Sequence, residues 1–77
     1  MKYHPLDTVV LTHAIDGHEL CAGDLGVVVE VYEPDGLEVE FVAASGRTTA
    51  VVTLKVTDVR PIEDTDLIAV RSARRTA

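Results

Sequence analysis

The chain has no tryptophan, one phenylalanine, two tyrosines and one cysteine in 77 residues. Bases cannot stack on aromatic side chains that are absent, so a nucleic-acid platform built on stacking is disfavoured. A single cysteine cannot form an internal disulfide, which fits a reducing compartment. Long apolar runs are also missing. No segment approaches the ~20 apolar residues of a membrane span, and the opening MKYHPLDTVV has no signal-peptide core. These features predict a soluble, cytoplasmic protein without membrane association.

Bases are scarce too. Seven Lys and Arg stand against thirteen Asp and Glu, a net charge of -6. The imbalance is sharper up to Val70, where four bases meet all thirteen acids (4 − 13 = -9), because Arg71, Arg74 and Arg75 close the chain. An acidic body repels phosphate, so nonspecific nucleic-acid binding would depend on the tail.

What the sequence does hold is short β-branched runs punctuated by turn residues, with no sustained helical period. Thr8 to Thr12 is the first expected strand, followed by an irregular loop from His13 to Asp24. Gly26 to Glu33 and Leu37 to Val42 alternate apolar and polar residues. The predicted inward sets are Val27, Val29 and Val31 on the first and Leu37, Val39 and Phe41 on the second.

Directly opposed residues share a face, so an odd-numbered loop is required between these two strands. Pro34-Asp35-Gly36 meets that need, with a type I turn at Pro34 and a left-handed Gly36. It places Val31 opposite Val39 and Glu30 opposite Glu40. Thr48 to Lys55 follows with Ala50, Val52 and Leu54 inward, then a tight turn at Thr57-Asp58 and a short strand ended by Pro61. Leu67, Ile68 and Val70 are expected to pack as a brief strand or helical turn. The result is an all-β fold, a small five-stranded SH3-like barrel over residues 1–71, with a frayed basic tail at 72–77.

Three blocks carry a family resemblance. His4-Pro5-Leu6-Asp7-Thr8-Val9-Val10, Gly23-Asp24-Leu25-Gly26-Val27-Val28 and Val59-Arg60-Pro61 resemble short bacterial proteins catalogued as domain of unknown function 4926. The likeness spans about Lys2 to Ile62. It implies a stand-alone small β domain and raises the expectation of an antitoxin or immunity role. Gly23 to Val31 is also similar to the strand-and-turn unit of KOW-type barrels, which implies RNA or ribosomal partners as the competing reading.

Chemistry is poorly supported. His4, His13 and His18 with Asp7, Asp16 and Cys21 include one zinc-compatible spacing, His18-x-x-Cys21, but lack a second paired element, so no metal or cofactor is expected. Cys21 between Leu20 and Ala22 reads as a small packed hydrophobe rather than a nucleophile. The protein is therefore expected to be non-enzymatic.

The remaining signal is an acidic row. Glu30, Glu38 and Glu40 share an outer face with Tyr32 and Val42. A solvated face ordinarily mixes both signs, so the bias points to a basic partner. The expected partner-binding residues are Glu30, Tyr32, Glu38, Glu40, Arg71, Arg74 and Arg75. The expected partner is a protein, in the sharpest case a cognate toxin; edge strands are further candidates for homodimer pairing.

Overall fold

In the computed structural model, which describes residues 1–73, five antiparallel strands form one sheet. They are β1 (Thr8–Leu11), β2 (Leu25–Tyr32), β3 (Gly36–Val42), β4 (Thr48–Lys55) and β5 (Val59–Pro61). A single 3-10 turn, Val56–Asp58, separates β4 from β5. The order across the sheet is β4-β3-β2-β1-β5. Two hairpins therefore supply β2, β3 and β4, while the chain ends return to β1. This order is compatible with an SH3-like barrel. No helix among the described residues is long and apolar enough to cross a membrane.

The core follows from alternation on β3 and β4. Leu37, Val39 and Phe41 are buried, as are Val52 and Leu54, with Ala50 packed partly against them. These are the inward sets that the sequence predicts. Val9 and Leu11 of β1, Val59 of β5, Tyr3 and Leu20 close the cluster. Val10 is also buried, at 5% exposure, yet lies outside that cluster. It lines a groove of about 480 Å³ together with residues 66–71.

On β2 the expected facing is wrong over half the strand. The register shifts between Val28 and Glu30. Gly26 and Val28 are buried, Val27 is half-buried and Val29 is 39% exposed. A bulge inserts one residue, which turns the strand over and moves the core face from odd to even positions. Beyond it, Val31 returns to pack against the core.

The hairpin loop has the expected length but sits one residue earlier. Tyr32 pairs with Gly36 and Val31 with Leu37, so the loop is Glu33-Pro34-Asp35. The Glu33–Pro34 peptide is cis, and Gly36 is a strand residue without positive φ. The left-handed Gly36 of the sequence reading is thereby corrected. So is the pairing: Glu30 stands opposite Glu38, not Glu40, and Val39 faces Val28.

The loop before β2 is irregular, as expected, and it has a purpose in packing. An isolated bridge between Ile15 and Leu20 folds it back, and Leu20 enters the core at 5% exposure. Gly23 adopts φ +91°, where a side chain is strained, as the chain turns into β2.

Among the described residues the chain after β5 forms neither strand nor helix, correcting the expected brief element at Leu67, Ile68 and Val70. These side chains are 93%, 67% and 97% exposed. The segment is nonetheless fixed at both ends. Arg60 donates to both carboxylate oxygens of Asp66, at 2.9 and 2.8 Å. Arg71 Nε donates to Asp24 at 2.9 Å, and a second guanidinium nitrogen reaches Asp24 and the Glu19 carbonyl. Residues 66–71 thus form a strap over β1. Most of the expected frayed tail, from Arg74 onward, lies outside the described residues.

Candidate functional site

Strand pairing decides which acids meet. Glu38 is paired with Glu30 on one side and Thr53 on the other, and Glu40 with Val27 and Val51. Directly opposed residues share a face, so Glu30, Glu38 and Glu40 stand together on the outer surface of β2–β3–β4. Two carboxylates opposite one another repel, which costs the fold stability.

The carboxylates on β3 are held in place. Thr53 Oγ1 donates to Glu38 at 2.6 Å, and Thr48 Oγ1 donates to Glu40 at 2.5 Å. Both glutamates are half-buried. Hydrogen bonds from neutral hydroxyls orient the carboxylates without neutralising them. Glu30 is more exposed and has only the Val31 N–H, at 3.3 Å, against its carboxylate.

Tyr32 extends the row, 45% exposed. Loss of hydration, then the charges of Glu38 and Glu30, raise its phenol above the ordinary value of 10.0. Val51 is 51% exposed opposite Glu40, and Val29 is 39% exposed at the bulge. The face therefore mixes oriented negative charge with exposed apolar and aromatic area. At the turn end Lys55 stands opposite Gly36.

Of the expected partner-binding residues, Glu30, Tyr32, Glu38 and Glu40 are thus brought together. Arg71 is elsewhere, on the strap, engaged with Asp24. That contact, with the Cys21 N–H also donating to Asp24 at 2.8 Å, holds the Asp24 carboxyl below its ordinary value against the opposing effect of burial. Arg74 and Arg75 lie outside the described residues.

Among the described residues no group of three His, Cys, Asp or Glu side chains is gathered to hold a metal. Cys21 is exposed, which corrects its reading as a packed hydrophobe. A pairing invisible in the sequence joins His13 to Asp58, 2.7 Å apart, while the other ring nitrogen lies 2.9 Å from the Ala14 carbonyl. When doubly protonated, the ring donates to both. The Asp58 bond first, then the Ala14 bond, raises the imidazole above its ordinary 6.5. Thr12 also donates, through N–H and hydroxyl, to the Asp58 carbonyl at 3.0 Å each. The cluster ties the first loop to the 3-10 turn. Nothing in the linear order signals it, since His13 and Asp58 are 45 residues apart.

Comparison with known proteins adds one match. The family model Domain of unknown function (DUF4926) matches residues 6–61. The matched span holds all five strands and ends with β5, before the strap. No curated protein and no solved structure matches the chain.

Proposed function

Because the chain belongs to the family of domain of unknown function 4926, a description that names no activity, we propose its role from the surface it presents: a non-enzymatic module that binds a protein through the outer face of β2–β3–β4. One observation carries this reading. Three carboxylates are collected on one sheet face, two of them directly opposed, and hydroxyls rather than bases orient two of the three. Such an arrangement costs stability in the free protein and is relieved when a cationic surface covers it.

The partner fitted to this face is a protein with a basic site, such as a nucleic-acid-processing protein. The negative row steers its approach, and Tyr32, Val29 and Val51 supply the apolar contact that completes docking. In its sharpest form the module is an antitoxin or immunity-type protein that caps the basic site of a toxin. The RNA-binding alternative draws less support, since Arg71 is engaged with Asp24 and the acidic face repels phosphate.

The test is charge reversal. Glu38→Lys with Glu40→Lys is expected to abolish capture of a basic protein from nuclease-treated extract of the source cells, while the melting transition survives. Association should slow steeply with added salt in the wild type. Capture that is equal with both proteins, or that disappears with nuclease treatment, would remove this face from the function.

A further inference from the structure

The two edges of the sheet are not alike. β5 is three residues long and ends in Pro61, which has no N–H to offer a further strand. β4, at the other edge, runs for eight residues with neither charge nor proline between Arg47 and Lys55. Such an edge is a ready template for an added strand.

Hydrogen-bond parity shows which groups β4 offers. The Val56 N–H donates to the Asp35 carbonyl at 2.9 Å, one step beyond the pairing of Lys55 with Gly36. Bonded and unbonded positions alternate along an antiparallel pair, so Leu54, Val52 and Ala50 are the β4 residues bonded to β3. Val51 and Thr53 therefore direct their N–H and C=O to the free edge. The Lys55 N–H points the same way and is taken by the Asp58 carboxylate at 2.8 Å. Among the described residues, no turn or loop backbone bonds to Val51 or Thr53.

The same two residues carry their side chains on the acidic face. Val51 is opposite Glu40 and Thr53 opposite Glu38, while Val52 between them faces the core beside Val39. A strand added at β4 lies two strand spacings from β3, about 10 Å. Lysine and arginine cross such a gap by laying their stems on apolar surface, and Val51, 51% exposed, offers that surface. The strand that fits is thus basic opposite Val51, apolar opposite Val52 and basic opposite Thr53. A second copy of β4 lacks this pattern, since Arg47 and Lys55 flank an uncharged middle.

We propose that β4 accepts, by antiparallel strand addition, an extended segment of the basic partner in which two bases alternate with an apolar residue. Strand addition in this sense rests on the acidic face being the partner-binding surface, and it specifies how the partner is read. The N–H and C=O of Val51 and Thr53 hold its backbone, and one base answers each of Glu40 and Glu38.

The probe is a synthetic peptide with an Arg-Val-Arg centre between threonines, added to the isotopically labelled full chain and followed by NMR. Binding should shift the Val51 and Thr53 amides and protect them from exchange. Methylating both arginine backbone nitrogens, which face β4, should weaken binding by about tenfold or more, whereas methylating the valine nitrogen, which faces away, should change it by less than about twofold. Glu38→Gln with Glu40→Gln should weaken binding of the unmethylated peptide by about tenfold or more. Equal effects of methylation at either place, or Val51 and Thr53 amides that exchange freely in the complex, overturn strand addition while leaving an acidic face that binds bases. A wild type that shows no binding at millimolar peptide overturns it as well; the acidic face itself falls only if charge reversal also leaves capture unchanged. A homodimer that already protects these amides without peptide overturns the choice of occupant.

Discussion

Replacing Glu30 by Gln should make the protein more stable. Glu30 is directly opposite Glu38 across β2 and β3, and its carboxylate accepts only the neighbouring Val31 N–H at 3.3 Å. Gln keeps an acceptor oxygen and nearly the same shape, so the substitution removes charge and little else. Two unit charges about 6 Å apart in water repel by roughly 0.7 kcal/mol, within the range of about 0.2–1 kcal/mol for cross-strand pairs. For a domain of this size that corresponds to a rise in Tm of roughly 3–6 °C. The assay is thermal unfolding at pH 8 and low salt, with Asp16→Asn as a control for net charge. Screening should shrink the gain in 1 M salt to about a quarter of its size at 0.1 M. An unchanged or lowered Tm for Glu30→Gln would refute the reasoning, because the acids would then carry no cost for a partner to relieve.

Other consequences are equally direct. A Cβ added at Gly26 would lie 2.5 Å from Val39 Cγ1 and 2.9 Å from Phe41 Cε1, both side chains buried. Gly26→Ala should therefore cost about 1–3 kcal/mol by overpacking, seen in urea unfolding, and a Val39→Ala background should reduce that cost. His13 is held above its ordinary 6.5, so its contribution is complete below that value and is lost as pH rises through the raised one. Wild-type Tm should fall more than that of His13→Gln between about pH 6 and 8.5, and parallel profiles would exclude the contact. Arg60 first, then the Glu63 N–H, lowers the Asp66 carboxyl to about 2. Its contribution is present above the ordinary 3.8 and lost as pH falls toward 2, so the strap should become more sensitive to an acid-active protease in that range. Asp66→Asn should show the same loosening at neutral pH; a strap equally protected in both proteins would contradict the anchoring role.

Where alternation is clean, the fold is legible without coordinates. Leu37-Glu38-Val39-Glu40-Phe41 admits one facing only, and those glutamates are found on the outer surface. Val27-Val28-Val29 is apolar at either parity, so it carries no sign of the bulge that turns β2 over. The acidic row nevertheless survives the error, because Glu30 lies beyond the bulge, where odd and even resume their expected faces. Its partner changes from Glu40 to Glu38. Gly26 is the one local clue, a glycine whose missing side chain makes room for Val39 and Phe41.

The two anchors of the strap were legible to different degrees. Arg60 and Asp66 are only six residues apart, within reach of a turn. Arg71 and Asp24 are separated by 47 residues and meet only because the chain crosses β1 after β5. A run of arginines next to an acidic body reads as a free tail, whereas the first arginine is a fastening. Long-range ion pairs of this kind leave no periodic trace, since they depend on where the sheet delivers two loops.

The most direct measurement places a photo-crosslinking side chain at Val51, 51% exposed opposite Glu40, in the source cells. Binding through the acidic face predicts a cross-link to a protein with a basic surface, lost when Glu38 and Glu40 are both changed to Gln and absent when the probe is moved to His18. A Val51 cross-link that persists without the two charges, or one to RNA, would contradict it.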